Sequence, residues 1–199
     1  MPHPISRFTA PEIPDLPDDI RTRILAVQEK SGFVPNVFLL LARRPDEFRA
    51  FFAYHDALMD RPGALSKAER EMIVVATSGL NECLYCVVAH GAILRIRAKD
   101  RLIADQLAVN YRKADITERQ RAMLDFAVKV SQGAQSVEEG DFATLYAHGF
   151  TGEDAWDIAS IAAFFGMSNR IANAASLRPN DEFYAMGREL RTPADGSGG

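Results

Sequence analysis

Residues 66–98 read SKAEREMIVVATSGLNECLYCVVAHGAILRIRA, and this stretch decides the fold. Ser66 with Glu69 three residues on is a capping box, in which each side chain satisfies a backbone donor at the helix start. Apolar residues then recur at helical spacing to about Ser78, where Gly79 is expected to end the helix. A second helix is expected from about Asn81 to about Ala98, with an extension past Asp100 toward Val109 left open. A chain reversal at 79–81 would lay the two helices antiparallel.

Working outward, the same periodicity predicts helices over 18–30, 36–44, 45–59, 117–131, 136–148, 151–175 and 181–190. Pro35 is preset for the first turn of the second of these. Phe48, Phe51, Phe52 and Leu58 share a side of the third. Thr151 caps the long apolar helix, with Asp154 at its third position. No segment reads as a strand, so the fold class is all-α. Trp156 and the phenylalanines read as core, and the apolar run 158–165 as buried, either deep in the core or between subunits. At an offset of 51 residues Leu65-Ser66 aligns with Ile116-Thr117, Arg70 with Arg121, Met72 with Met123, Ile73 with Leu124 and Ala76 with Ala127. That pattern suggests a duplicated helical unit, of which only the first copy carries chemistry.

Residues 1–18 contain Pro2, Pro4, Pro11, Pro14 and Pro17, which forbid a helix and imply an extended arm. Residues 19–190 are expected to form a single all-helical domain, and 191–199 a flexible tail. The chain has 199 residues and a net charge of −4, from 23 basic and 27 acidic side chains. No basic block offers a nucleic-acid surface, and no apolar run approaches the ~20 residues of a membrane span. The proline-broken N-terminus has no signal-peptide core, so a reducing cytoplasm is the expected setting.

Two cysteines cannot be a disulfide framework, but Cys83 and Cys86 form a C-x-x-C. His90 lies about 40° around the helix from Cys86, one turn on, so the two share a face. Cys83 is expected in the first helical turn, where unpaired amides and the helix dipole favour a thiolate. Antiparallel packing brings Glu71 level with His90. Glu71 would then orient His90, and His90 would take the proton from Cys86. Tyr85 and Glu82 flank the pair and are candidates to tune it. His3, His55 and His148 lack paired chemistry and receive no role. A c-type haem would need His directly after the second cysteine, where Val87 stands. A zinc site built from Cys83, Cys86, His90 and Glu71 lacks a second knuckle, so no metal is assigned. Thiol redox remains: one sulfur attacks and the other resolves.

The pattern Glu71-x11-Cys83-x-x-Cys86-x-x-x-His90 resembles the active site of the alkylhydroperoxidase D-like (AhpD-like) proteins, within the carboxymuconolactone decarboxylase-like superfamily. Gly32-Phe33-Val34-Pro35-Asn36, the run Arg121 to Ala127, Ala162-Ala163-Phe164-Phe165 and Asn169-Arg170 are most similar to its peroxidase-related branch. The resemblance implies an AhpD-like helical bundle assembled as a homo-oligomer (dimer, trimer or hexamer). It implies a hydroperoxide substrate, Cys86 as the peroxidatic thiolate, Cys83 as the resolving partner, and a lipoyl- or thioredoxin-like dithiol reductant. No haem, flavin or metal cofactor is implied. The founding enzymes carry a second histidine where this chain has Tyr85, whose phenol, at a pKa of ~10, is a poor base near neutrality. Two other classes share the features: a decarboxylase-like lyase, which does not depend on a C-x-x-C, and a redox-sensing oligomer, which would form the disulfide without cycling.

Overall fold

Ser66 starts the central helix of a computed structural model that describes residues 4–188. Its hydroxyl accepts from the Glu69 amide at 3.1 Å while Glu69 Oε2 accepts from the Ser66 amide at 2.9 Å. Among the described residues the chain forms ten α-helices and no strand. They are α1 (Asp18–Ser31), α2 (Asn36–Leu41), α3 (Pro45–Met59), α4 (Lys67–Leu80), α5 (Leu84–Ala98), α6 (Ile103–Asn110), α7 (Glu118–Gly133), α8 (Glu139–Ala147), α9 (Gly152–Ala174) and α10 (Glu182–Ala185).

Helices α4 and α9 form the centre. Ile73, Val74 and Val75 on α4 are wholly buried, as are Ile158, Ile161 and Ala162 on α9. Helix α4 is buried on every side from Glu69 to Ser78, whereas α9 keeps an exposed stripe through Trp156, Ala163 and Met167; the pattern over 158–165 is continuous because the outward position there, Ala163, is apolar too. Helices α5, α6 and α7 pack around α4, and α3, α7 and α8 contact α9. Arg70, 1% exposed, donates to the Leu58 carbonyl at 2.6 Å and faces Asp157 at 3.6 Å. Arg61 also holds Asp157, at 2.9 Å. Those contacts tie the end of α3 to both central helices. Helices α4 and α7 begin with the same capping box, and an Arg119–Glu69 ion pair joins them.

Several boundaries differ from expectation. Gly79 does not end α4; it lies in the last turn, because an added Cβ would stand 2.5 Å from the Ala108 carbonyl oxygen of α6. The stop comes at Leu80, and α5 starts at Leu84 rather than Asn81. Lys99, at φ 55°, ends α5, so α6 is a separate helix. Helix α2 stops at Leu41 and α8 starts at Glu139. The last helix is a single turn, Glu182–Ala185, followed by Gly187 at φ 72°. Trp156 is not core: it is 68% exposed, on the outer side of the first turns of α9.

Within the described part of the proline-rich segment only Ile13–Asp15 forms a 3-10 turn. The segment lies against its own chain. Arg7 N–H and Ser6 Oγ both donate to the Ala175 carbonyl, and Arg178 N–H donates to that of Ile5. The expected tail, 191–199, lies outside the described residues.

Candidate active site

The turn between α4 and α5 sets the sulfurs. Cys83 N–H donates to the Ser78 carbonyl at 3.0 Å and Glu82 N–H to that of Gly79 at 3.1 Å. That pair of bonds is a Schellman motif, whose left-handed position usually holds glycine. Here Glu82 occupies it, at φ 51°, with an exposed side chain. Cys83 follows with extended backbone as the N-cap of α5, one position outside the first turn where it was expected, and Cys86 lies within that turn. Both cysteines are free and buried, at 1% and 2% exposure.

Asn169 and Asn81 hold the turn against α9. Asn169 Nδ2 donates to Ser78 Oγ at 2.9 Å, and Asn81 Nδ2 donates to Asn169 Oδ1 at 2.9 Å. Gln132 of α7 adds a bond to Asn81 Oδ1 at 2.8 Å. Tyr85 is buried and its hydroxyl accepts from Val37 N–H at 3.3 Å. Burial raises its pKa, so the phenol stays protonated and braces α2 over the site.

Antiparallel packing brings Glu71 to His90, Oε2 to Nδ1, at 2.7 Å. Arg97, two turns beyond His90 on α5, donates to the other carboxylate oxygen at 2.8 Å. A carboxylate oxygen only accepts, so Nδ1 is the donor of this bond and Nε2 is the ring nitrogen left to exchange a proton. The imidazole also stands edge-on to Phe165, centroids 4.7 Å apart.

The two thiols titrate as one unit. Cys83 is drawn down to about 7, first by the hydrogen bond from Cys86 and against its own burial. The Cys86 amide and Asn169 lower it further, and a protonated His90 acts in the same direction. Cys86 is held well above the ordinary thiol range, by that bond to Cys83, by burial and by the Cys83 charge; Asn169 and Ser168 oppose this. In the resting pair the first proton is lost at Cys83 and the second is retained at Cys86.

Cys86 and His90 line a cavity of about 160 Å³. Its walls are mostly apolar, with Phe38, Phe51, Phe52, Phe165 and Phe183 among them, and Arg23, His55, Tyr85 and Ser168 supply the other polar groups. A larger groove of about 650 Å³, at α7 and α8, is lined by no cysteine or histidine. Among the described residues no three His, Cys, Asp or Glu side chains are grouped to hold a metal.

Glu71, Cys83, Cys86 and His90 are legible in the sequence as site residues, whereas Arg97, Asn169 and His55 join them only in the folded chain. Arg97 carries a signal, being seven residues and two turns from His90. Asn169 was noted only as part of a flanking match. His55 has none, because only the packing of α3 brings it to the cavity.

The sequence model of the carboxymuconolactone decarboxylase family matches residues 45–109. A peroxidase-related protein from Ralstonia eutropha JMP134, described as an alkylhydroperoxidase AhpD core, is 70% identical, with a TM-score of 0.94 over 94% of this chain and 99% of its own. A peroxidase-related protein from Silicibacter sp. TM1040 is 41% identical, with a TM-score of 0.89 over 94% of this chain and 98% of its own. The debrominase Bmp8, solved with 2,3,4-tribromopyrrole, shares the fold at 21% identity and a TM-score of 0.72, over 91% of this chain and 97% of its own. No curated protein matches the chain. The protein therefore belongs to the AhpD-like, carboxymuconolactone decarboxylase-like superfamily, a class whose members include enzymes. Within it, the chain groups with the peroxidase-related proteins.

Proposed function

We propose that the protein is a thiol-dependent peroxidase that reduces hydroperoxides through Cys83 and Cys86. The observation that carries this reading is the shared cavity of Cys86 and His90, with His90 Nδ1 bound to the buried Glu71 at 2.7 Å. The first proton of the thiol pair passes to His90 Nε2, and Glu71 stabilises the imidazolium. The proton still shared by the sulfurs moves to Cys83, which leaves the thiolate on the cavity-facing Cys86. Cys86 attacks the terminal oxygen, the O–O bond breaks, and the departing alkoxide takes the proton from His90. Products are an alcohol and a Cys86 sulfenic acid. The Cys83 thiol then displaces hydroxide, which leaves as water with the Cys83 proton, and the disulfide closes.

A lipoyl- or thioredoxin-like dithiol reopens the disulfide, and no haem, flavin or metal takes part. The expected form is a cytoplasmic homo-oligomer of single-domain subunits; among the described residues no helix is long and apolar enough to cross a membrane. The test is consumption of cumene hydroperoxide with dihydrolipoamide as donor. The parent is expected to turn over, Cys86→Ser to be inactive, and Cys83→Ser to stop after one equivalent. A parent that does not turn over, while one Cys83–Cys86 disulfide still forms in air, would mean a sensor rather than an enzyme.

A further inference from the structure

The catalytic cycle above uses one histidine, yet a second lines the same cavity. His55 of α3 has Nδ1 3.1 Å from Asp56 Oδ1. Asp56 is gripped by Arg23 of α1, whose Nη2 lies 3.0 and 2.8 Å from its two oxygens. Arg23–Asp56–His55 thus repeats the order of Arg97–Glu71–His90: an arginine clamps a carboxylate, the carboxylate engages Nδ1, and Nε2 is left over. Both rings flank Phe165, with centroids 6.2 Å away for His55 and 4.7 Å for His90.

The two differ in electrostatics. Glu71 is buried, whereas the Asp56 side chain is 41% exposed and its charge is screened. Burial lowers the His55 pKa first, Asp56 opposes that, and protonation of His90 adds to the lowering. At neutral pH His55 is therefore an uncharged ring with an accepting Nε2. The titratable and charged groups around it are Asp56 and Glu71 with Arg23, His90 and Cys86 of the same cavity.

A hydroperoxide has two unlike oxygens. The terminal one carries a hydrogen to donate, and the inner one must receive a proton as the O–O bond breaks. Resting on the peroxidase reading, we propose that His55 orients the substrate by accepting the hydroperoxide O–H at Nε2. The terminal oxygen is thereby presented to Cys86 Sγ and the inner oxygen turned toward His90. Atoms and charge balance as in the cycle above: His55 holds the O–H hydrogen, which stays with the terminal oxygen in the sulfenic acid. The substituent on the inner oxygen then lies against the phenylalanine wall of the cavity.

The test compares the parent with His55→Phe, which removes the acceptor, and His55→Gln, whose amide oxygen restores one. The readouts are kcat/KM for cumene hydroperoxide and the rate of Cys86 alkylation by iodoacetamide, which has no O–H to orient. His55→Phe is expected to lower kcat/KM by roughly 10- to 100-fold, the worth of one hydrogen bond at a reacting group, and to leave alkylation unchanged. His55→Gln is expected to recover most of the loss. Below pH 6.5 the parent's acid limb gains a further proton dependence that His55→Gln lacks. Unchanged kcat/KM in His55→Phe overturns the proposal, as does an equal fall in alkylation or an acid limb identical in parent and His55→Gln. An inactive parent overturns the peroxidase reading and this inference together, and so is told apart from failure of His55 alone.

Discussion

Removing one sulfur changes the acidity of the other. The largest cause holding Cys83 at about 7 is the hydrogen bond from Cys86, so Cys86→Ala is expected to move Cys83 up toward the ordinary 9.0 of a free thiol. The thiolate is the reactive form, so alkylation of Cys83 at pH 7 should slow by roughly tenfold or more, about one decade per pKa unit. An alkylation midpoint that stays near 7 in Cys86→Ala would contradict the shared-proton account. Glu71→Gln keeps the shape but removes the charge that stabilises the imidazolium, and kcat/KM for cumene hydroperoxide should fall by roughly 10²- to 10⁴-fold. A fall of less than threefold would detach Glu71 from the chemistry. The meeting of Glu71 and His90 was legible because it needs only one reversal and a count along two helices. His55 was not, since its place depends on how α3 packs against α9, and no spacing encodes that.

At the level of the helices, the turn before Cys83 gives opposed predictions for two neighbouring residues. Glu82 holds a left-handed conformation that costs a non-glycine residue about 1 kcal/mol. Glu82→Gly should therefore raise stability by ~0.5–1 kcal/mol, or about 2–4 °C in Tm per kcal/mol for a chain this long. Gly79→Ala should do the reverse despite the better helix former, because the new methyl would meet the Ala108 carbonyl oxygen at 2.5 Å. A loss of ~1–3 kcal/mol is expected, read by thermal or urea unfolding. A stabilised Gly79→Ala would mean that α6 yields. The capping boxes of α4, α7 and α9 were readable from local sequence. The end of α4 was misread because Gly79 serves a close approach of helices, while the conformation that glycine usually supplies falls to Glu82.

Across the whole molecule, the all-α class was plain from the periodicity, whereas the exposure of Trp156 was not. An indole on a helix with a mostly apolar sequence reads as core, yet it stands outside while Ile158, Ile161 and Phe165 fill the interior. Trp156→Ala is expected to change stability by no more than about 0.5 kcal/mol, as for an ordinary surface position. A larger loss, dependent on protein concentration, would show that a second subunit covers it. A single turnover follows the thiol pair itself. Reduced protein is mixed with one equivalent of cumene hydroperoxide, and thiols, alcohol and disulfide are counted. The account predicts two thiols lost and one alcohol formed per chain, with a Cys83–Cys86 disulfide in the parent and no alcohol from Cys86→Ser. Peroxide left intact beside two free thiols, or alcohol still formed by Cys86→Ser, would contradict it.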